Sequence, residues 1–252
     1  MKLKALKIIL IILFLLSSTA AFLFSPYYEL KNITVEESAV NITDTLGACG
    51  VVAGSNINLL LLSKGNILSG HLVKAEEQVL TDVNIKNLSI KRSGRNDLTV
   101  SCQSRKPVMC ISHDDYIIYF DYDGTIIDTT PTKAEKAILI RGLDLDFFYM
   151  GRNILTCNYM LEDISVLCNE IEKYDTVNFT AIRTLINEIE IRENDGIIIK
   201  YDNRLEILMD MTDDVKYNAN VLCAILSTMN QSSKGTVDFT VSDTPFFSPA
   251  SE

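Results

Sequence analysis

The stretch EIEIRENDGIIIKYDNRLEILM, residues 188–209, predicts three short β-strands joined by two tight turns. Ile189 and Ile191 alternate with charged residues, which is the pattern of a strand with one buried face. The clusters at 194–196 and 202–204 contain the Asn, Asp and Gly residues that favour turns. Strands joined by such short turns pair as an antiparallel meander. This stretch therefore predicts a β-rich domain in the second half of the chain.

Two helix patterns flank the meander. Before it, apolar residues recur at helical spacing between Asp163 and Tyr174. After it, Asp213 or Asp214 is placed to cap a second helix, whose apolar stripe reaches Met229. Both patterns predict helices that pack one apolar face against the sheet.

Further strand patterns lie before and after these helices. They are Tyr116–Asp121, Thr125–Asp128, Ala137–Ile140 and Gly235–Val241. Pro245 and Pro249 follow the last of them, and we interpret residues 245–252 as a tail. The sequence thus predicts, for residues 104–244, a domain of antiparallel strands with two flanking helices.

Residues 28–103 carry a different order of patterns, which is strand, helix, helix, strand, strand. The segments are Tyr28–Glu36, Thr43–Cys49, Leu68–Leu80, Val83–Lys91 and Leu98–Cys102. In such a βααββ module the helices cover one face of a three-stranded sheet. Arg105-Lys106-Pro107 marks the boundary between the two modules, and the predicted fold class is α+β.

The first residues of the chain predict a membrane anchor. Leu6–Phe24 reads LKIILIILFLLSSTAAFLF, and as a helix it spans about 28 Å, close to one hydrocarbon core. Residues 1–5 and Lys7 supply three lysines before the apolar run, so the head is expected in the cytoplasm and the body outside. A cleaved signal peptide, with cleavage after Ala20, is the alternative, although the apolar run continues beyond that site.

The charge of the chain argues against nucleic-acid binding. It has 33 acidic and 23 basic residues, a net charge of −10, and three of the basic residues are the lysines of the head. The remaining body, residues 8–252, carries 20 basic and 33 acidic side chains, a net charge of −13. A nucleic-acid-binding domain normally presents a basic surface instead.

The cysteines and histidines do not form a recognisable metal or catalytic pattern. The six cysteines lie in the body without a CxxC pair, and no histidine neighbours them at ligand spacing. Most of them lie within apolar patterns and are interpreted as buried free thiols, while disulfides remain an alternative outside the cytoplasm. His71 and His113 lie in different modules and are interpreted as surface or turn residues.

One motif suggests an enzyme. Asp121 and Asp123 follow an apolar strand in the pattern DxDGT, which resembles the first motif of haloacid-dehalogenase-type phosphatases. In that chemistry one carboxylate attacks phosphorus and the other acts as acid and base beside Mg²⁺. Asp210 and Asp214 are candidates for the distal metal ligands, and Lys200 is the candidate phosphate-binding residue.

The context of the motif favours a structural role. About 90 ordered residues precede it, whereas the phosphatase motif opens an α/β fold, and the segments after it have hairpin patterns rather than βαβ patterns. Asp123-Gly124 is itself a hairpin turn signal. The alternative prediction is therefore a hairpin with no catalytic role.

The order of the whole chain resembles the FtsQ/DivIB family of bacterial cell-division proteins, in which an anchor, a POTRA module and a β domain follow one another. Five words of sequence resemble family motifs in the family's order. They are SRKPV at 104–108, YFDYDGTI at 119–126, ILIRG at 138–142, Lys216 in the last helix, and GTVDF at 235–239. The sequence departs from the family's pattern at Ser104, where Glu is usual, at Arg141, where Pro is common, and at residues 93–97, which contain no Pro.

The resemblance implies a protein without enzymatic activity, cofactor, metal or small-molecule substrate. It implies a single-pass protein of the cell membrane at the division septum. Its extracytoplasmic body is expected to bind the coiled-coil proteins FtsL and FtsB/DivIC and to help place septal wall synthesis.

The last predicted strand is the candidate partner surface. No strand pattern follows Gly235–Val241, so we expect this strand at or near a sheet edge, where unpaired backbone groups can accept a partner segment. In the family the C-terminal region is the expected site of FtsB/DivIC binding. A strand blunted by its own proline-containing tail is the alternative. The expected partner-facing residues are Thr236, Asp238 and Thr240, and the expected core-facing residues are Val237, Phe239 and Val241.

Overall fold

The computed structural model describes residues 2–36, 42–133, 136–143, 145, 147–192, 196–211, 214–241 and 244–250. The chain divides into two compact units, residues 1–105 and 106–252. The first contains the apolar helix and a small mixed sheet, and the second contains a large mixed sheet flanked by helices. The predicted α+β class is confirmed.

The N-terminal helix, α1, covers Lys2–Leu23 and ends one residue before the predicted Phe24. Its stretch Leu6–Leu23 is long and apolar enough to cross a membrane, and none of it is buried in the protein. The amide of Phe24 still donates to the Ala20 carbonyl at 3.0 Å, so the last helical turn extends to this residue.

The small sheet of the first unit has the order β1-β3-β2. Its elements are β1 (Asn32–Glu36), α2 (Thr43–Ala48), α3 (Ile57–Lys64), α4 (Val73–Val79), β2 (Ile85–Arg92) and β3 (Asp97–Ser104). Strands β2 and β3 form an antiparallel hairpin, and β1 pairs with β3 in parallel. Side chains from all three helices and all three strands form one apolar core.

This module has three helices where the sequence predicts two. The short run Leu59–Leu62 belongs to α3, which begins because the Asn56 side chain accepts hydrogen bonds from the amides of Asn58 and Leu59. The helix predicted over Leu68–Leu80 is confined to α4.

The large sheet of the second unit has nine strands in the order β12-β11-β10-β9-β8-β7-β4-β5-β6. Its elements are β4 (Met109–His113), β5 (Tyr116–Phe120), β6 (Ile126–Thr130), β7 (Ile138–Arg141), α5 (Tyr159–Asn178), β8 (Ile186–Ile191), β9 (Gly196–Tyr201), β10 (Leu205–Asp210), α6 (Val215–Thr228), β11 (Gly235–Asp238) and β12 (Phe246–Pro249). The predicted meander corresponds to β8, β9 and β10, which pair antiparallel.

The sheet is mixed, whereas the sequence predicts antiparallel strands throughout. Strand β7 pairs in parallel with both β4 and β8, and β10 pairs in parallel with β11. Parallel neighbours need a crossover connection, which is usually a helix. Helix α5 lies between β7 and β8 along the chain, and α6 lies between β10 and β11, so the two flanking helices account for these two parallel pairs, whereas β4 and β7 are connected through β5 and β6.

One row of buried side chains crosses most of the large sheet. Each member lies opposite the next in the strand register, and all of them belong to the core that includes α5 and α6. The row is Ile118, Ile111, Ile140, Ile189, Ile199, Ile207 and Val237. It continues to β12, because Phe247 lies opposite Val237 and packs against the same core.

Candidate functional site

The Asp121 carboxylate lies inside a hairpin turn between β5 and β6. This side chain is 4% exposed, and one of its oxygens accepts hydrogen bonds from the amides of Asp123 and Thr125, at 3.1 and 2.9 Å. The Gly124 amide donates to the Asp121 carbonyl at 2.9 Å. The carboxylate therefore stabilises the turn in the way expected of an Asp before a tight turn.

The same turn is packed against neighbouring elements. Gly124 has φ +77°, and a Cβ at this position would meet the Leu155 side chain at 2.3 Å. The Ser165 hydroxyl on α5 donates to the Tyr122 carbonyl, and the Tyr122 hydroxyl donates to Glu172. Burial, together with the bond to Glu172, raises the pKa of Tyr122 and keeps the phenol neutral. These contacts explain the DxDGT sequence as a packed hairpin.

The other candidate phosphatase residues lie far from this turn. Asp210 ends β10, which is five strand spacings from β5, so about 24 Å separates the two strands. Asp214 caps α6 by accepting from the amides of Lys216 and Tyr217. The Lys200 Nζ on β9 bonds Glu188 at 2.6 Å. The structure therefore does not bring these residues together with Asp121 around one metal ion.

The expectation that no later strand pairs with β11 is wrong, although β11 does lie near the sheet edge. Strand β12 pairs antiparallel with β11, so β11 lies between β10 and β12. Gly235 permits the close approach of β12, since its φ is +148° and a Cβ there would lie 2.1 Å from the Ser248 carbonyl oxygen. Residues 245–252, interpreted as a tail, thus include the outermost strand of the sheet.

The side chains of the predicted partner segment, Gly235–Val241, lie in different environments. Val237 is buried and Phe239 packs against the core, as predicted, but Val241 is 75% exposed. Thr236 lies on β11 opposite Ser248 of β12. The chain leaves the strand after Asp238, whose carboxylate accepts from both the amide and the hydroxyl of Thr240 at 2.7 Å.

The outer side of β12 is an open edge. In the ladder with β11 the Ala250 amide donates to the Lys234 carbonyl at 2.9 Å, while the amides of Gly235 and Phe239 face the other way and donate to the carbonyls of Arg204, directly before β10, and Leu208 of β10. Because inward and outward groups alternate along a strand, the N–H groups of Phe246 and Ser248 face β11, and that of Phe247 faces outward. Among the described residues, no strand pairs with this outer side.

The opposite edge of the large sheet is covered in part. At the start of β6, the Ile126 amide donates to the Arg152 carbonyl and the Gly151 amide donates to the Ile126 carbonyl, at 2.9 and 2.8 Å. Thr125 also forms a β-bridge with Asn153. The chain therefore protects part of β6 with its own segment, which leaves β12 as the more accessible end for a new strand.

A cleft of about 660 Å³ lies beside the terminal strands. It is lined by Lys200, Asn203, Arg204, Leu205, Glu206, Lys234, Gly235, Thr236, Ser248, Pro249 and Ala250. Three of these residues carry a positive charge and one carries a negative charge. Lys200 and Arg204 are paired with Glu188 and Asp202, so Lys234 is the cation of this lining best placed to attract a carboxylate group of a binding partner.

Hydrogen bonds hold two of these cations in place. The Arg204 Nε lies 2.9 Å from the Asp202 carboxylate, and its Nη1 donates to the Ser233 carbonyl at 2.9 Å. The hydrogen bond from Lys200 to Glu188 raises the lysine pKa, so this side chain stays charged. Arg141 also bonds Glu188, at 2.6 Å, and this ion pair occupies the position where Pro is common in the family that the sequence resembles.

The remaining candidate residues have structural positions. Ser104 ends β3 at the boundary between the units, and Lys216 is exposed in the first turn of α6. His71 Nδ1 lies 3.4 Å from Glu76, and the His113 ring packs edge-on against Phe148. The six cysteines are free thiols, and five of them are buried. Asp213, the alternative helix cap, lies outside the described residues.

Sequence reasoning missed β4 and β12. The run Met109–Ile111 is apolar but too short to classify by periodicity. In β12 the flanking Pro245 and Pro249 indicate a tail. Pro249 lies where the strand's N–H would face outward, so it removes no bond within the sheet. An edge strand tolerates proline at a position whose N–H faces outward, so Pro249 is compatible with a strand, and this is the signal that could have identified β12.

No protein-family model matches the sequence, and no curated protein is detectably similar to it. Among solved structures, the chain is similar to the major extracytoplasmic domain of the cell-division protein DivIB from Geobacillus stearothermophilus, in its trans isomer. The identity is 12% and the TM-score is 0.31, over 51% of this chain and 99% of that domain.

Proposed function

We propose that this protein is a membrane-anchored scaffold of bacterial cell division, of the FtsQ/DivIB type, with its body outside the cytoplasm. In this proposal α1 remains as an uncleaved anchor, and the second unit binds FtsL- and FtsB/DivIC-type coiled-coil proteins at the septum. The five family-like words and the lysine-rich head before Leu6–Phe24 support it. The protein would act by binding and positioning, without chemistry of its own.

The open edge of β12 is the observation on which the binding site rests. An edge strand presents backbone groups to which an extended partner segment can add. The proposed site is therefore β12, and not the segment Gly235–Val241 that the sequence suggests. Strand β11 of that segment pairs with the inner side of β12. Neither Thr236 nor Thr240 offers a free N–H, because the first faces β12 and the second bonds Asp238.

The partner segment would be recognised in three ways. Its backbone would pair with the outward N–H of Phe247 and the carbonyl groups beside it, which gives affinity without strong sequence preference. Its acidic side chains would reach the cations of the adjoining cleft, among which Lys234 lies next to β11. The exposed ring of Phe246, which is 62% accessible, would supply an apolar contact at the same edge.

Proline at position 247 tests the edge. Phe247→Pro removes the outward N–H together with the ring, and Phe247→Ala removes the ring alone, so their difference isolates the backbone bond. With the full chain in nanodiscs and an FtsL–DivIC-type coiled coil as ligand, we expect Phe247→Pro to bind about fivefold to tenfold more weakly than Phe247→Ala. Equal binding by the two variants would place the partner elsewhere.

The phosphatase hypothesis and the signal-peptide alternative have separate tests. Phosphate release that requires Mg²⁺ and is abolished by Asp121→Asn would contradict a scaffold without catalysis. A mature N-terminus at Ala21, found by sequencing the protein from membranes, would contradict the uncleaved anchor. We expect no such phosphate release, because the Asp121 carboxylate accepts hydrogen bonds from the amides of its own turn. We expect no cleavage after Ala20, because the apolar run continues beyond this residue.

A further inference from the structure

Side chains of the small module cap the last carbonyl group of α1 and bond the segment that follows it. The Asn58 side-chain amide donates to the Leu23 carbonyl at 3.0 Å, and the Asn56 amide donates to the Ser25 carbonyl at 3.1 Å. The end of a helix leaves such carbonyls without partners within the helix. The start of α3 therefore lies directly at the end of the apolar helix.

A second set of contacts fixes the same junction. The Asn96 side chain donates to the carbonyls of Tyr27 and Glu29, and the Arg95 guanidinium stacks on the Tyr27 ring with 3.8 Å to its centre. Arg92 donates to the Asn58 side-chain oxygen at 3.1 Å. Asn58 and Asn96 are each 8% exposed, so the centre of this polar network is buried, while Tyr27 and Arg95 lie at its exposed rim. The module is therefore held against the helix end rather than tethered by a free linker.

Two leucines project from α3 beside this junction. Leu59 and Leu62 are 51% and 50% exposed, and residues three apart lie on the same side of a helix. Leu59 directly follows Asn58, which bonds the last residue of α1. Phe24 and Tyr27, 48% and 53% exposed, lie in the segment that joins α1 to the module. Leucine and aromatic side chains at this level match the boundary between headgroups and acyl chains.

We infer that the small module rests on the outer surface of the same membrane, with Leu59 and Leu62 inserted at the lipid interface. The inference depends on the proposed anchoring role of α1. The occupant of this apolar face is lipid because the face is continuous with the end of Leu6–Leu23, whose 18 residues span about 27 Å, close to one hydrocarbon core.

The geometry also defines a residue that should stay away from lipid. Asn96 and Asp97, at the start of β3, lie at the junction, where Asp97 also bonds the Asn32 side chain at 2.7 Å. Gln103 is exposed six residues further along this strand, about 20 Å from Asp97. Insertion through Leu59 and Leu62 therefore predicts that these two residues contact lipid and that Gln103 remains in water.

Single tryptophans test this orientation, because the natural chain has none. The full-length variants Leu59→Trp, Leu62→Trp, Gln103→Trp and Phe14→Trp would be placed in phosphatidylethanolamine–phosphatidylglycerol vesicles with and without brominated acyl chains. We expect bromine to quench most of the emission of Leu59→Trp, Leu62→Trp and Phe14→Trp, and little of that of Gln103→Trp. Adding Asn58→Ala to Leu59→Trp should reduce the quenching, because it opens the junction.

The outcomes separate the inference from the proposed function. If Phe14→Trp is quenched while Leu59→Trp and Leu62→Trp are as unaffected as Gln103→Trp, the anchor stands and the surface contact is overturned. Equal quenching of Gln103→Trp and Leu59→Trp would overturn the orientation. An unquenched Phe14→Trp would overturn both the anchor and the contact that rests on it.

Discussion

The two sheets of this protein differ in how the outer edge of a terminal strand is covered. In the small sheet the outer side of β2 is bonded by its own chain, because the Leu72 amide donates to the Ile90 carbonyl and the Arg92 amide donates to the Gly70 carbonyl, at 2.9 and 2.8 Å. The Ile90 amide donates to the Glu76 carboxylate at 2.6 Å. In the large sheet, β12 has no such cover among the described residues.

The difference indicates which edge is available to a partner. Covering an edge with a loop and a carboxylate removes the groups that another chain would use, and proteins commonly protect edges in this way. An uncovered edge beside a cationic cleft retains those groups. Changes at the covered edge of β2 should therefore alter stability, and changes at β12 should alter binding.

The largest effect is expected at Gly235. Gly235→Ala would place a Cβ 2.1 Å from the Ser248 carbonyl oxygen and 2.9 Å from Pro249 Cα, at a φ that side chains rarely adopt. We expect about 3 kcal/mol of local destabilisation, with β12 displaced and partner binding lost. Hydrogen exchange at the amides of Thr236 and Ser248 measures this opening directly.

Gly47 provides the matched glycine. A Cβ at this position would meet only the Val52 side chain at 3.9 Å, and its φ is not positive. Gly47→Ala in α2 should therefore be tolerated, with exchange in β12 unchanged. Normal protection of Ser248 in Gly235→Ala would mean that β12 does not need the glycine, contrary to the proposed close approach.

A smaller effect is expected at Glu76. Glu76→Ala leaves the Ile90 amide without its acceptor at a position where the Ile90 side chain is fully buried, and we expect a loss of about 2 kcal/mol in the small module. Glu76→Gln keeps an acceptor oxygen and should lose less. Binding at β12 should not change in either variant. Hydrogen exchange at Ile90 gives the opening free energy.

An equal exchange rate at Ile90 in Glu76→Ala and in the natural protein would show that the carboxylate does not protect this edge. Reduced partner binding by Glu76→Ala would contradict the separation of the two edges. In that case the covered edge of β2 would also take part in recognition.

The sequence predicts local strands better than it predicts their pairing. Alternation around Ile189 identifies β8, but the same alternation occurs in parallel and antiparallel neighbours, so it does not reveal the parallel pairs made by β7. The pair of β7 with β8 follows from the crossover helix α5, whereas the chain reaches β7 from β4 through the strands β5 and β6. The predicted helix at Asp163–Tyr174 lies within α5. This prediction succeeds because a long amphipathic pattern is a stronger signal than the pattern of a short strand.

The candidate binding site was predicted one strand away from the open edge. The core position of Val237 follows from alternation and is correct. The position of Phe246–Pro249 depends on contacts with residues far along the chain, such as the close approach to Gly235, and its prolines indicate a loop. Tertiary pairing therefore decided the edge, which local propensity does not encode.

The smallest effect is expected from pH, and it concerns the ion pairs of the large sheet. Glu76 bonds a backbone amide, whereas Glu188 bonds the side chains of Lys200 and Arg141 across neighbouring strands. Burial works to raise the pKa of Glu188, but the hydrogen bonds and charges of Lys200 and Arg141 outweigh it, so the net pKa lies below its ordinary value.

A carboxyl group whose pKa is lower in the folded state stabilises the fold above its unfolded pKa of about 4.3. That contribution is lost as the pH falls through the folded pKa. We therefore expect the second unit to lose stability as the pH falls below the ordinary pKa of a glutamate, and Glu188→Gln to flatten this part of the profile. The change should be modest, because Lys200 and Arg141 are 41% and 58% exposed and water screens their charges. Thermal unfolding followed across this pH range measures it, and Glu162→Gln, which removes an exposed carboxylate from α5 of the same unit, is the control. A profile of Glu188→Gln as steep as that of the natural protein would assign the acid sensitivity to other carboxylates.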